Sequence, residues 1–156
     1  MKPSTRQPDA ARRIASSCLA GRTRLINREI TAIFEAALRP LKLRVSQLNV
    51  LVMIANRGPI TAGVIGRFLH IEKSTMSRNV ERLAARGWIR TQAADDNRAQ
   101  LLSLTARGRR IVEQALPYWE EAQRQVTKRL GTQNVEAIVR IASVVTAGAS
   151  EAEPDG

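Results

Sequence analysis

Residues that carry metal and redox chemistry are nearly missing from this sequence, which has one cysteine, Cys18, and one histidine, His70. A single cysteine excludes an intrachain disulfide, and no Cys/His cluster is available for a structural zinc. The core must hold by packing alone. One histidine also leaves no Cys/His dyad or serine triad of the usual kind, and neither GxxxxGKS/T nor GxGxxG occurs. The chain does not read as an enzyme, and no cofactor is expected. Long apolar runs are lacking too. The longest, such as Leu48 to Ala55 with Asn49 inside it, fall far short of the roughly 20 residues that span a bilayer. Met1 to Ala10 is polar, contains two prolines and has no secretory segment. These absences predict a soluble cytoplasmic protein with no membrane partner. Aromatic residues make up only 3%, which also speaks against an amphipathic membrane-surface helix.

What is present is positive charge. The 156 residues carry 25 lysines and arginines against 14 acidic residues, a net charge of +11, which favours a polyanionic partner, nucleic acid first. The length suits one domain with a proper core.

Apolar residues Leu19, Ile26, Ile30, Ile33 and Ala37 recur at spacings of three, four and seven, predicting one helix over about Ala11 to Leu38, stopped by Arg39 and Pro40. Such a helix is about 40 Å long, more than a small monomer covers, so part of it is expected to bury against a second chain. Ser46 is the expected N-cap of a helix to about Asn56, with Gly58 and Pro59 ending it. Thr61 then caps a short helix bearing Val64, Ile65, Phe68 and Leu69. His70 and Ile71 make a turn into a helix over Glu72 to Arg86, with Met76, Val80 and Leu83 inward and Gly87 at its end. This pair reads as a helix-turn-helix.

Two β-prone runs follow, Trp88 to Thr91 and Gln100 to Leu104, around the polar Gln92 to Asn97, which together predict a β-hairpin. Thr105 opens a long helix to about Leu130, adjusted at Pro117 and broken by Gly131 and Thr132. A last amphipathic helix is expected over Asn134 to Ala147, then a disordered acidic tail over 148–156. The expected fold class is mainly α with a small β-hairpin wing: a winged helix-turn-helix region (46–105) on a helical dimerisation scaffold (11–38 and 106–147).

If Met76, Val80 and Leu83 face the core, a 100° advance per residue puts Ser74, Arg78 and Glu81 outward, flanked by Thr75, Ser77 and Arg82. Short hydroxyls followed by arginines suit a helix entering the major groove amino end first, with Lys73 at its start. Ser74, Thr75 and Ser77 can bond phosphates or base edges, and Arg78 can fork onto guanine O6 and N7. In the hairpin, Arg98 lies near the tip, where a guanidinium suits the negative potential of a narrow minor groove. Asp96 either orients that arginine or favours the turn. Arg90 is either a phosphate contact or a solvated rim residue. An RNA-associated basic protein is the second reading, but it calls for exposed aromatics on a sheet or a GXXG loop, and neither is expected.

The run Ser74-Thr75-Met76-Ser77-Arg78, with Arg82-Leu83, Gly87-Trp88-Ile89, Asp96-Asn97-Arg98, Leu104-Thr105-Ala106-Arg107-Gly108 and Pro117-Tyr118-Trp119, resembles the MarR (multiple antibiotic resistance regulator) family. The likeness extends over roughly Leu19 to Val126, and its specificity lies in the ordered combination. It implies winged-helix homodimers on palindromic operators in double-stranded DNA, mostly repressors released by a small-molecule effector or by oxidation. It also implies that the helix matching Glu72 to Arg86 enters the major groove, and that the arginine matching Arg98 enters the minor groove, supported by the aspartate matching Asp96. Cys18 sits about where the organic-hydroperoxide-sensing branch keeps its reactive thiol, with Arg22 one turn on. That branch surrounds its thiol with tyrosines, whereas Tyr118 is the only tyrosine here. A thiol-based oxidation sensor is therefore the alternative to a ligand-released repressor.

Overall fold

The structure, a computed structural model, describes residues 9–93 and 100–151, with side chains to residue 146. Its first helical segment is two helices, α1 (Asp9–Ser17) and α2 (Leu19–Leu38), rather than the single helix expected. The break is at Cys18, whose φ of −65° and ψ of 106° are extended. Consecutive serines explain it: the Ser16 and Ser17 hydroxyls both donate to the Arg13 carbonyl, at 3.0 and 2.7 Å, offering the backbone an alternative to the next helical turn. The Arg22 guanidinium donates to the carbonyl of Ser16 across the break.

After a 3₁₀ turn at Arg39–Leu41, helix α3 covers Val45–Arg57. Its N-cap is Arg44, not the expected Ser46. The capping atoms come from elsewhere in sequence: Gln47 Oε1 accepts from the Arg44 N–H at 3.1 Å, and Glu35 Oε1 of α2 accepts from the Val45 N–H at 3.0 Å. A strand too short to announce itself by periodicity, β1 (Ile60–Thr61), precedes α4 (Ala62–Phe68), which Thr61 caps through Val64 N–H as expected. Then come α5 (Lys73–Ala85), β2 (Ile89–Ala93), β3 (Gln100–Leu104), α6 (Ala106–Leu130) and α7 (Thr132–Glu151). Helix α7 runs past the expected end at residue 147. Alanines at 142, 147 and 149 favour the helix beyond that point and outweigh Gly148; residues 152–156 of the expected tail lie outside the described residues.

The three strands form one antiparallel sheet in the order β1-β3-β2, with Ile60 opposite Leu102, Thr91 opposite Leu102 on the other side, and Ile89 opposite Leu104. A third strand, β1, thus pairs along the outer edge of β3 at Leu101 and Leu102 and links the wing to α4. The main core gathers Leu38, Leu48, Leu51, Ile54, Ile65, Met76, Leu83, Trp88, Leu102 and Ile111. Burying each such side chain is worth about 1.5–3 kcal/mol. A second, smaller cluster of Phe34, Ala122 and Val126 forms where α2 packs along α6. Arg129 and Glu29 also pair across these helices at 3.0 Å, a solvated contact of little energetic weight.

Candidate nucleic-acid interface

The turn between α4 and α5 sets how α5 is presented. His70 takes a left-handed φ of 50°, and the Ile71 N–H returns to the Gly66 carbonyl at 2.8 Å. A Cβ at residue 66 would lie 3.2 Å from the Ile71 carbonyl oxygen, so the two helices come together over a position that favours glycine. Met76, Asn79 and Leu83 then bury one face of α5. Val80, expected on the inward face, does pack against the core, whereas Asn79 was not expected there. Val80 is half-buried, and Asn79 is buried with its Nδ2 lacking a hydrogen-bond partner among the described residues. The spacing 76-79-83 marks the stripe, but the polarity of Asn79 concealed its membership.

On the other side, Lys73, Ser74, Thr75, Ser77, Arg78 and Arg82 are all exposed. The Arg78 guanidinium reaches Thr75 Oγ1 at a long 3.4 Å, and the Ser77 hydroxyl donates to Glu81 Oε1 at 3.2 Å. Both are weak surface contacts that a stronger partner can displace. The structure therefore brings six of the candidate residues onto one solvent-facing strip. Arg90 is separate: it is exposed on β2, an edge strand, opposite Ser103 of β3. Helix α5 packs against β2, so the strip and this strand belong to one packed unit. Asp96 and Arg98, expected at the hairpin tip, lie outside the described residues.

The sequence reading has Gly87 ending α5 and Thr105 opening α6, but not the contacts by which they and their neighbours hold the strip in place. At the end of α5, Gly87 turns with φ 66° and the Trp88 N–H returns to the Leu83 carbonyl at 3.0 Å. The Arg86 guanidinium stacks 4.7 Å from the centre of the Trp88 ring and donates to the Lys42 carbonyl at 2.6 Å. Thr105 closes the other side. Its hydroxyl donates to the Gly87 carbonyl at 2.6 Å and accepts from the Gly108 N–H at 3.0 Å, while its own N–H donates to the Trp88 carbonyl at 3.0 Å. One hydroxyl thus caps α6 and ties it to the exit of α5. Such pairs separated widely in sequence leave no local signal.

Comparison with known proteins places this arrangement. The model of the MarR family matches residues 41–99, from the end of the 3₁₀ turn before α3 to beyond β2. The multiple antibiotic resistance protein MarR of Salmonella typhimurium is 28% identical over 116 residues, covering 73% of this chain and 81% of that protein. Over these residues the chain resembles the MarR family. The uncharacterised HTH-type transcriptional regulator YwoH of Bacillus subtilis is 32% identical over 77 residues, a match to 49% of this chain but only 56% of that protein. Among solved structures, a probable transcriptional regulator from Pseudomonas aeruginosa superposes with a TM-score of 0.75 at 27% identity, covering 84% of this chain and 98% of that one. The Mycobacterium tuberculosis regulator MosR, solved in complex with DNA, gives a TM-score of 0.72 at 27% identity, covering 88% and 100%.

Proposed function

We propose that this chain is a MarR-family, sequence-specific, double-stranded DNA-binding transcriptional regulator that works as a homodimer on a palindromic operator, a repressor released by a small-molecule effector. The observation that carries the reading is the exposed strip of α5, on which hydroxyls near the helix start are followed by Arg78 and Arg82. Entering the major groove amino end first, the strip sets Ser74, Thr75, Ser77 and Lys73 against phosphates and base edges and Arg78 against guanine. Arg90 contacts the backbone beside it. Arg98, oriented by Asp96, enters the minor groove.

Dimerisation is assigned to 11–38 and 106–147, and DNA binding to 46–105. Support for the first comes from apolar side chains that one chain leaves in solvent: Ile14, Leu19 and Leu25 at one end of the sequence, Val139, Ile141, Val144 and Val145 at the other. Large apolar side chains left in solvent on these helices favour burial against a second chain. The reading gives the chain no catalytic role and a cytoplasmic place; no helix among the described residues is long and apolar enough to cross a membrane. Gly63 and Gly66 do have GXXG spacing, but both lie inside α4 rather than in a loop, which removes the support an RNA partner would need. The deciding experiment is a gel shift with the intergenic DNA beside the protein's own gene. A shift that random duplex does not compete away supports the reading, and equal competition by random duplex or structured RNA overturns it.

A further inference from the structure

Two side chains from opposite parts of the fold grip one short stretch of chain. Residues 39–44 lead from the scaffold helix α2 into α3, and so into the winged-helix half of the molecule. From the scaffold side, Glu35 of α2 accepts the Val45 N–H on its Oε1 at 3.0 Å. From the winged-helix side, Arg86, the C-cap of α5, donates to the Lys42 carbonyl at 2.6 Å while its guanidinium lies 4.7 Å from the centre of the Trp88 ring. Both side chains are half-buried. Both bonds involve an ionised partner, which makes them stronger than neutral ones. Lys42 itself stands in the left-handed region, at φ 51° and ψ 35°, which a lysine rarely adopts and keeps only where its surroundings hold it.

Direction is what these contacts add. Leu38 and Leu43 already anchor the stretch in the core, but apolar burial is non-directional, whereas a hydrogen bond weakens steeply away from its axis. The Thr105 hydroxyl separately ties the exit of α5 to α6. One joint leaves a helix free to turn about it; a second, running to a different element, fixes its angle. The grip on residues 42–45 is that second joint.

We infer that Glu35 and Arg86 are positioning residues, which set the angle of α5 on the scaffold and thereby the spacing of half-sites that the dimer accepts. They act through α5 rather than by reading bases. Each base pair added between half-sites displaces one from the other by about 3.4 Å and turns it by about 35°. A recognition helix held at one angle therefore discriminates between spacings, and one free to turn does not. The consequence for spacing rests on the DNA-binding reading above; the geometry of the grip does not.

The test uses duplexes built from the half-site that the wild type selects from a randomised pool: one half-site alone, or a pair at the selected spacing and at spacings about one and two base pairs longer or shorter. Wild type is expected to lose about tenfold in affinity on the first base pair of misspacing, and Glu35→Ala/Arg86→Met no more than about threefold over the whole series. Affinity for the single half-site stays within about twofold in both, because the strip itself is unchanged. Glu35→Gln, which keeps an acceptor oxygen for the Val45 N–H, retains the wild-type profile.

A second readout needs no DNA. In a Cys18→Ser chain spin-labelled at Arg28→Cys on α2 and Ala84→Cys on α5, diluted with unlabelled protein, the distance between labels is single and narrow, and it broadens in Glu35→Ala/Arg86→Met. Variants that weaken the single half-site and every spacing by one factor, with the profile kept, show a structural role only and overturn the assignment. So does a Glu35→Gln profile as flat as that of Glu35→Ala, or a label distance that the double variant leaves unaltered. If the pool yields no half-site, the DNA-binding reading fails instead, and the label distances still decide whether Glu35 and Arg86 set the angle of α5.

Discussion

The backbone of Gly108 passes so near Trp88 that a Cβ on residue 108 would stand 1.9 Å from the Trp88 carbonyl oxygen. No rotamer change relieves such a clash, because both partners are main chain. Gly108→Ala is therefore expected to push α6 off the wing root and destabilise the fold by about 3 kcal/mol, the upper end of overpacking costs. Thr105→Val, which removes a cap without adding bulk, should cost nearer 1 kcal/mol. Chemical denaturation of the two variants gives both numbers, and a Gly108→Ala variant as stable as wild type contradicts the close approach.

The exposed strip makes a prediction about discrimination. Arg78→Ala should lose about 1–3 kcal/mol of preference for operator over random duplex, since a guanidinium forked onto guanine reads sequence. Lys73→Ala and Arg98→Ala should weaken both DNAs alike and reduce the slope of log K against log salt by about 0.9 each per phosphate contact removed. Fluorescence anisotropy over a salt series separates the two behaviours. Equal losses on both duplexes for Arg78→Ala argue against a base contact.

Asn79 tests whether burial or function keeps it in α5. An amide buried without a partner for Nδ2 carries a desolvation cost of about 1–3 kcal/mol, so Asn79→Leu is expected to hold or raise the melting temperature. Leu83→Ala, on the same face and fully buried, should instead lose about 2–5 kcal/mol. Were Asn79→Leu to destabilise as much as Leu83→Ala, the amide would have a structural partner after all.

Oligomeric state offers a fourth check. Light scattering should give a dimer at micromolar concentration, and Ile141→Glu/Val144→Glu should shift it toward monomer, because both side chains are largely exposed on α7 of one chain, at 64% and 74%. Operator affinity should fall with the dimer. A folded wild-type monomer overturns the assignment of 11–38 and 106–147 to dimerisation.

Two recognition helices on one face of a duplex require phased half-sites about 34–36 Å apart, and inserting roughly five base pairs between them should remove most specific affinity. Retained affinity on the interrupted operator argues against paired recognition.

Much of this architecture was legible because its signals are local. Thr61 and Thr105 announce helices through their own hydroxyls, Gly58 and Gly131 end them, and the Met76 and Leu83 spacing fixes the outward face of α5. What escaped depends on distance in sequence or on polarity overriding pattern. The cap of α3 is completed by Glu35, ten residues upstream. Strand β1 exists only because Leu101 and Leu102 lie beside it. The α1 and α2 break arises from competition among hydroxyls that an apolar repeat does not register. Asn79 was passed over as a core residue because an amide rarely occupies one.

Helix α6 has 25 residues, about 37 Å of rod at 1.5 Å per residue. Its first turn is clamped to Gly87 and Trp88, and the rest packs along α2. Clamped at one end, the rod is a lever arm. A pivot of about 5° at the wing root moves the far end by about 3 Å over that length, and the reverse holds for a displacement applied at the scaffold. In the proposed dimer, paired rods would behave like the handles of calipers. The opening between the two reading heads is set at the hinge, with no need to reshape either head.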